Sequence, residues 1–471
     1  MRGFEDQSRS IENNKIEADE DQQERIRFDE VFGVDKERDA DQIKRKMKLI
    51  RKDPRIGRIS SKRDYERDKK DDLLKYSDEE VESGQWDEGD LNFVIEKLQE
   101  ERRDEYFKNV ADKYEQTRPV SDSIVRLDQE AEIVKQLREN TPVLIRGIPR
   151  TGKTSMGRSI KTHYFGRENS IFIDVVTQES AGSSKSPENF KKHFGEHAIT
   201  RFIAERELPK AELEDIFNRK DEIIKLIEKS QKSPFEFLNN YLLQKGEKIF
   251  LFLDEAIGLA EQQKKMEHLA GLKDLSQVQL AIVLHRFASL EDSFKEIFEG
   301  YKTHFVRSLT IEEVGALVRK PLEGTEITFT GDAIQRIFEF TGGRPMEINN
   351  LCWALMHPIS KDKNYKFTYR AKDIDELTSK EVWELKKSFS VAIDTYNRAY
   401  DVSMSNEERA IIDKLIKEGE VPVSEINVDT VQPLIDTTLV TKDESKEIYR
   451  INGVLFEKVI SERLERLERD S

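Results

Sequence analysis

The sequence predicts an α/β fold, with a three-layer core on a parallel sheet, then a helical segment and a small C-terminal module. Three observations predict it. Apolar runs at 142–146, 170–176, 248–253 and 278–284 alternate with stretches of helical spacing. The first run passes through a glycine-rich turn into a helix. After residue 308 the spacing is helical as far as a charged hairpin near the C-terminus.

A chain of 471 residues has room for about three domains at roughly 150 residues each. Charged residues make up 37% of it, against a usual share of about 25%. Net charge is −15 and mean hydropathy −0.71. No apolar run reaches the length of a membrane helix, and the opening MRGFEDQSRS lacks a signal core, so the expectation is a cytoplasmic protein without membrane contact. The single cysteine, Cys352, excludes an internal disulfide framework and a four-cysteine zinc site.

Residues 1–100 carry 22 basic and 29 acidic side chains. Within them, Lys44 to Lys70 holds thirteen basic against four acidic residues, and 71–90 reverses this with nine acids against Lys75. So charged a segment reads as an arm over 1–90, extended or weakly helical for most of its length. The basic run suits phosphate contacts with DNA, or forms a self-compensating pair with the acidic run. Leu91, Val94, Ile95 and Leu98 then open a helical connector over 91–118.

The first apolar run is followed by Gly147-Ile148-Pro149-Arg150-Thr151-Gly152-Lys153-Thr154-Ser155. Glycine, four residues, then Gly-Lys-Thr between a strand and a helix is the phosphate-binding loop. Average residue usage gives on the order of 0.01–0.02 chance occurrences in a chain of this length. The glycines let successive N–H groups face phosphate oxygens, and the helix start adds its positive dipole end. Lys153 is expected to reach the β- and γ-phosphates and the Thr154 hydroxyl to bind Mg²⁺, which implies ATP or ADP as ligand.

The run Lys248-Ile-Phe-Leu-Phe-Leu253 ends in Asp254-Glu255. A strand this apolar is buried on both faces of a parallel sheet. Asp254 at its carboxyl end would hold Mg²⁺, and Glu255 would polarise an attacking water as general base. The run 278–284 ends in His285-Arg286, which makes Arg286 the candidate sensor of the γ-phosphate or a plain strand-end arginine. The helical stretches of 177–247 (around Phe190, Leu208 to Lys229, and Pro234 to Leu243) are long for a connection. They are an insertion or a partner-contact element. These features define a P-loop NTPase core over 119–308.

Leu309 to Pro321 reads as a capped helix, with Thr310 at the N-cap and Glu313 three residues on. Another runs from Thr330 to Thr341, followed by Gly342-Gly343-Arg344-Pro345 and a helix through Met356. Gly147–Thr154, Leu253-Asp254-Glu255, Arg286, LVRKPLEG (317–324) and TGGRP (341–345), in that order, resemble the STAND clade of AAA-related ATPases in its archaeal-ATPase-like branch. The resemblance spans roughly 120–465. It implies an AAA-like core with a helical lid over 309–400, whose Gly343-Arg344-Pro345 turn lies over the nucleotide. Arg344 would then be a second phosphate sensor, or simply a solvated arginine at a helix start. The family's Gly-Arg box near the adenine is matched by Ile124-Val125-Arg126 without its glycine, and the role of Arg126 stays open.

Residues 401–471 read as a winged helix: a helix over Asn406–Glu418, Val421-Pro-Val423, a second helical stretch over Thr430–Leu439, the hairpin Leu439–Ile451 and a last helix through Leu467. DNA reading is the obvious use of such a module. Residues 405–471 hold ten basic and sixteen acidic side chains, however, and 430–439 has no cation. Groove readers contact phosphates with cations, so docking or self-association is expected instead. By resemblance, this module holds the nucleotide domain closed. The sequence thus points to a slow ATPase switch with itself or a protein as partner. The alternatives are a DNA-associated ATPase using 44–70 or the winged helix, and a non-hydrolysing nucleotide-binding scaffold.

Overall fold

The computed structural model describes residues 22–24, 26–52, 73–84, 86–114, 126–166, 168–174, 187–209, 212–254, 263–285, 295–357 and 365–470. Glu255, Arg286, Ile124, Val125 and the 53–70 part of the basic run lie outside these residues. The chain divides into two units. One comprises residues up to Tyr114 with Gly324–Thr328 and Trp353–Thr368, and the other holds the remainder.

The described part of 1–90 is largely helical, the second of the two expected forms, and it packs into a small core rather than lying as a loose arm. Helix α1 (Ala40–Lys52) places Ile43, Met47 and Ile50 on one stripe. They are buried with Leu73, Tyr76 and Val81, the last from α2 (Asp78–Ser83), and with Phe93, Val94 and Leu98 of α3 (Glu88–Ala111). The polar side of α1 is matched by acids of the next helices. Lys46 pairs with Glu101 at 2.6 Å, Arg51 with Asp78 at 2.8 Å, and Lys48 with Glu82. Net charge concealed the apolar stripe, and with the cations paired the stripe suffices for a small core.

In the second unit, α4 (Leu127–Arg138) precedes β1 (Val143–Gly147), and the loop leads into α5 (Lys153–Ile160). After β2 (Ser170–Asp174) come α6 (Pro187–His193), α7 (Glu196–Glu207), α8 (Leu213–Ser230) and α9 (Pro234–Lys245). Strand β3 (Ile249–Asp254), α10 (Gln263–Gly271), β4 (Val278–His285) and β5 (Lys302–Phe305) complete the core. The sheet has five strands in the order β2-β3-β4-β1-β5, all paired in parallel. Every residue of β1 and β3 is buried, because helices cover both faces. This is the three-layer α/β architecture of P-loop NTPases.

Ile133, Val134, Leu137, Met156, Ile160, Phe250 and Phe252 fill one face beneath α4 and α5. Phe190, Phe194, Ile199, Phe235, Leu238, Leu251 and Leu253 fill the other beneath α6–α9. The long connection is therefore a layer of the core, although Leu213, Phe217 and Leu226 of α8 stay exposed.

Next come α11 (Ile311–Arg319), α12 (Gly331–Thr341), α13 (Pro345–Met356), α14 (Ala371–Thr378) and α15 (Val382–Arg398). The C-terminal module follows as α16 (Asn406–Glu418), β6 (Glu420–Pro422), α17 (Val428–Asp436), β7 (Val440–Asp443), β8 (Ile448–Ile451) and α18 (Val454–Asp470). Its three strands are antiparallel in the order β6-β8-β7. No described helix is long and apolar enough to cross a membrane.

Candidate nucleotide site

Parallel pairing lines up the carboxyl ends of the strands. Gly147 lies opposite His285, and Asp174 opposite Asp254. In open α/β sheets ligands bind outside this end. The loop closes with Gly152 at φ 93°, the left-handed conformation, as N-cap of α5. Arg150 sits at φ 66°, a position few side chains adopt.

Lys153 is buried, and its Nζ donates to the carbonyls of Gly147 at 3.1 Å and Ile148 at 2.6 Å. It also lies 3.4 Å from His285 Nδ1. Burial, then the charges of Lys153, Arg150 and Arg398, hold the His285 imidazole well below its usual range, so it is neutral at pH 7. Thr154 Oγ1 donates to Asp254 Oδ1 at 3.1 Å. This pair of hard oxygen donors at the foot of the loop matches the ligand chemistry of Mg²⁺.

Arg126 stands at the head of α4 in the left-handed conformation, at φ 62°. Its backbone N–H donates to Glu313 Oε1 at 2.7 Å, and its Nη1 to the carbonyl of Thr151 at 2.8 Å. Glu313 is the third residue of the Thr310 capping box and is bound by Arg307 at 2.6 Å. Arg126 thus joins the phosphate loop to the helical segment that follows the sheet. Its Nε and Nη2 are buried without a partner among the described residues. Burial depresses this guanidinium to about 9, so it remains charged at pH 7. A buried cation with open donors beside a phosphate loop is suited to a bound polar group.

The Gly-Arg-Pro turn splits in two directions. Pro345 faces the loop, its Cγ 3.7 Å from where a Cβ on Gly152 would lie. Arg344 turns away, which corrects its expected place at the phosphates. Its Nε donates to Glu347 Oε1 at 2.9 Å and to the Tyr396 hydroxyl. Its Nη1 and Nη2 donate to the carbonyls of Thr438 at 3.0 Å and Asn452 at 2.8 Å. The side chain is 3% exposed, so it is not the solvated arginine of a helix start, and its donors are spent on this network. Asn452 Nδ2 completes the clasp by donating to Gly342 O, Thr438 O and Ser308 Oγ.

The structure therefore gathers Gly147–Ser155, Asp254 and Pro345, and removes Arg344. Sequence reasoning passed over His285, the last residue of β4, in favour of Arg286, which follows it in sequence and lies outside the described residues. The signal that could have found it is strand register, which sets His285 opposite Gly147.

No family model matches the chain, and no curated protein sequence matches it. Among solved structures, it is similar to the Walker-type ATPase of Pyrococcus abyssi, at 15% identity and a TM-score of 0.43, over 74% of this chain and 99% of that one. The Aeropyrum pernix ORC2 protein, in ADPNP–ADP complexes, matches at 11% identity and a TM-score of 0.40, over 76% and 98%. The Aeropyrum pernix ORC1 protein in complex with DNA matches at 12% identity and a TM-score of 0.35, over 74% and 95%.

Proposed function

We propose that the chain is an ATP-binding switch that hydrolyses ATP slowly and couples its nucleotide state to conformation and assembly. The observation that carries this reading is the double grip of Arg126, on Thr151 of the phosphate loop and on Glu313 of the following helix. A ligand that displaces the loop displaces that grip as well.

In this reading Gly147–Ser155 wraps the phosphates, Lys153 leaves its loop carbonyls for phosphate oxygens, and Thr154 and Asp254 hold Mg²⁺. The ion would neutralise phosphate charge when bound. Glu255, one residue beyond β3, is proposed as the base that orients water. His285, as a neutral imidazole 3.4 Å from Lys153, is proposed as the strand-tip hydrogen-bonding group, and Arg286, the next residue in sequence, as the sensor of the γ-phosphate. Arg126 directs its open donors at the nucleotide. Residues 309–400 act as a lid and 401–471 as a winged helix that is clasped to it. Three cations of the basic run, Lys46, Lys48 and Arg51, already have carboxylate partners, which weighs against DNA binding by that half of the run. A self-associated or partner-bound state is the expected output, in a cytoplasmic protein.

The test is single-turnover hydrolysis of Mg-ATP, with gel filtration in ATP and in ADP. Lys153→Ala should abolish binding, while Glu255→Gln should bind ATP without turnover and fix one assembly state. An unchanged elution profile in both nucleotides would remove the switch reading. Binding without turnover by the unaltered chain would leave a scaffold, and salt-sensitive retention on duplex DNA would favour the DNA-associated alternative.

A further inference from the structure

Arg126 reaches the phosphate loop from an uncommon backbone conformation. At φ 62° and ψ 30° it is left-handed, which strains any residue with a Cβ, and it has no side-chain cap bond of its own. Support for that conformation comes from outside α4, since the acceptor of its N–H is Glu313 Oε1 of α11 at 2.7 Å. Glu313 offers more acceptor capacity than its own helix cap uses. The capping box takes Oε2, which accepts from the Thr310 N–H at 2.9 Å. Oε1 is left for Arg126.

Both oxygens are fixed by one guanidinium. Arg307, two residues beyond β5, donates from Nη1 to Oε2 at 2.6 Å and from Nη2 to Oε1 at 3.0 Å. A two-pronged fork sets the plane of the carboxylate, where a single contact would leave it free to turn. Burial pushes the Glu313 carboxyl up, but Arg307 and the N–H groups of Thr310 and Arg126 hold it below its usual range, so it is ionised at pH 7. Arg307 is in turn anchored on α4. Its Nη2 also donates to Asp128 Oδ1 at 2.8 Å, and its backbone N–H to Gln129 Oε1 at 3.4 Å. Gln129 Nε2 returns a bond to the Phe305 carbonyl at 3.0 Å. Asp128 is 67% exposed, so its ion pair adds little energy alone. Its effect is geometric: the first turn of α4, the end of β5 and the first turn of α11 meet on Arg307.

We infer that Arg307 is a positioning residue for nucleotide binding: through its fork on Glu313 it holds the Arg126 backbone left-handed and the Arg126 guanidinium against the phosphate loop. Arg307 acts through Arg126 and touches no nucleotide itself. This rests on reading Gly147–Ser155 as a nucleotide site, and it adds the end of β5 to the elements that shape that site.

The experiment is a double-mutant cycle on the full chain: equilibrium binding of Mg-ADP to the parent, Arg307→Ala, Arg126→Ala and the double variant, with a melting curve for each. Arg307→Ala should weaken ADP binding roughly threefold to tenfold in the parent, the weight of one misplaced hydrogen bond. In the Arg126→Ala background the same change should cost less than about twofold, because the group it positions is gone. Arg307→Lys should recover part of the loss, since an ammonium still pairs with the carboxylate while lacking the fork. If Arg307→Ala does not melt cooperatively, the cycle runs on Arg307→Lys, whose loss should likewise shrink once Arg126 is removed. A residue that only supports the fold costs the same in both backgrounds, so equal losses, or no loss at all, overturn the assignment while the nucleotide reading stands. If the unaltered chain binds no ADP, the nucleotide reading itself fails and this one falls with it.

Discussion

Arg344 Nη2 donates to the carbonyl oxygen of Asn452 at 2.8 Å, across 108 residues of sequence. This bond, with that from Nη1 to Thr438, turns a loop-facing motif into a clasp between α13 and the C-terminal hairpin. All the acceptors are buried or half-buried, and Glu347 shares the site with its carboxyl raised to about 7 by burial. Arg344→Ala removes the cation beside the buried Glu347 carboxyl and takes one donor each from the Thr438 and Asn452 carbonyls. The expected cost is about 3–5 kcal/mol. Arg344→Lys should recover little, because a single ammonium cannot serve acceptors spread around a planar fork. Thermal melting and limited proteolysis of 405–471 measure this. Wild-type protease resistance in Arg344→Ala would show the clasp to be dispensable.

Arg126 makes a prediction about the other end of the bound nucleotide's contacts with the loop. It grips the loop at the Thr151 carbonyl and lies beside Gly152, whereas Lys153 Nζ rests on the carbonyls of Gly147 and Ile148. Arg126→Ala should therefore weaken ADP and ADPNP alike, by roughly tenfold. It should also loosen α11, since the removed side chain helps fix the backbone N–H that Glu313 accepts from. A loss confined to ADPNP would place Arg126 at the terminal phosphate instead.

The parts of this fold that were legible in the sequence are those specified locally. β3 is a continuous apolar run, the α11 cap is a four-residue signal, and the hairpin of 439–451 is bounded by charged turn residues. β5 was not legible. Its four residues, Lys302-Thr-His-Phe305, form an edge strand with no apolar run, and pairing with β1 alone defines it. The clasp was hidden for a different reason. Its partners lie 94 and 108 residues from Arg344, and no local pattern encodes a backbone carbonyl as the partner of a side chain. At the arm, charge density outweighed the Ile43-Met47-Ile50 spacing because composition does not reveal that ion pairs will neutralise it.

The phosphate-loop helix is seated by a glycine. A Cβ at Gly157 of α5 would collide with the Phe252 ring of β3, so helix and sheet approach more closely there than any side chain allows. Gly157→Ala should overpack this interface and cost about 1–3 kcal/mol, tilting the loop above it. Pairing it with Phe252→Leu should restore part of the melting temperature by clearing the ring. If Gly157→Ala melts as the parent does, the helix has room to shift and the seat is not tight.

Glu130 is 1% exposed, accepts from Ser159 Oγ at 2.9 Å and leaves Oε1 without a hydrogen-bond partner among the described residues. Burial raises its carboxyl to about 7 from an ordinary 4.5, outweighing the Ser159 hydroxyl and the charges of His163 and Arg126. The folded chain thus binds more protons here than the unfolded chain between those two values. Its contribution to stability is complete below about pH 4.5 and is lost as pH rises through about 7. Buried histidines such as His268, lowered to about 4, act with the opposite sign. The difference between Glu130→Gln and the parent therefore isolates the effect. Glutamine keeps an acceptor for Ser159 and carries no charge at any pH. Glu130→Gln should match the parent near pH 5 and melt several degrees higher at pH 8, a gain on the order of 1–3 kcal/mol. Melting curves for the pair between pH 5 and 8.5 that run parallel would mean Glu130 titrates as an ordinary carboxylate.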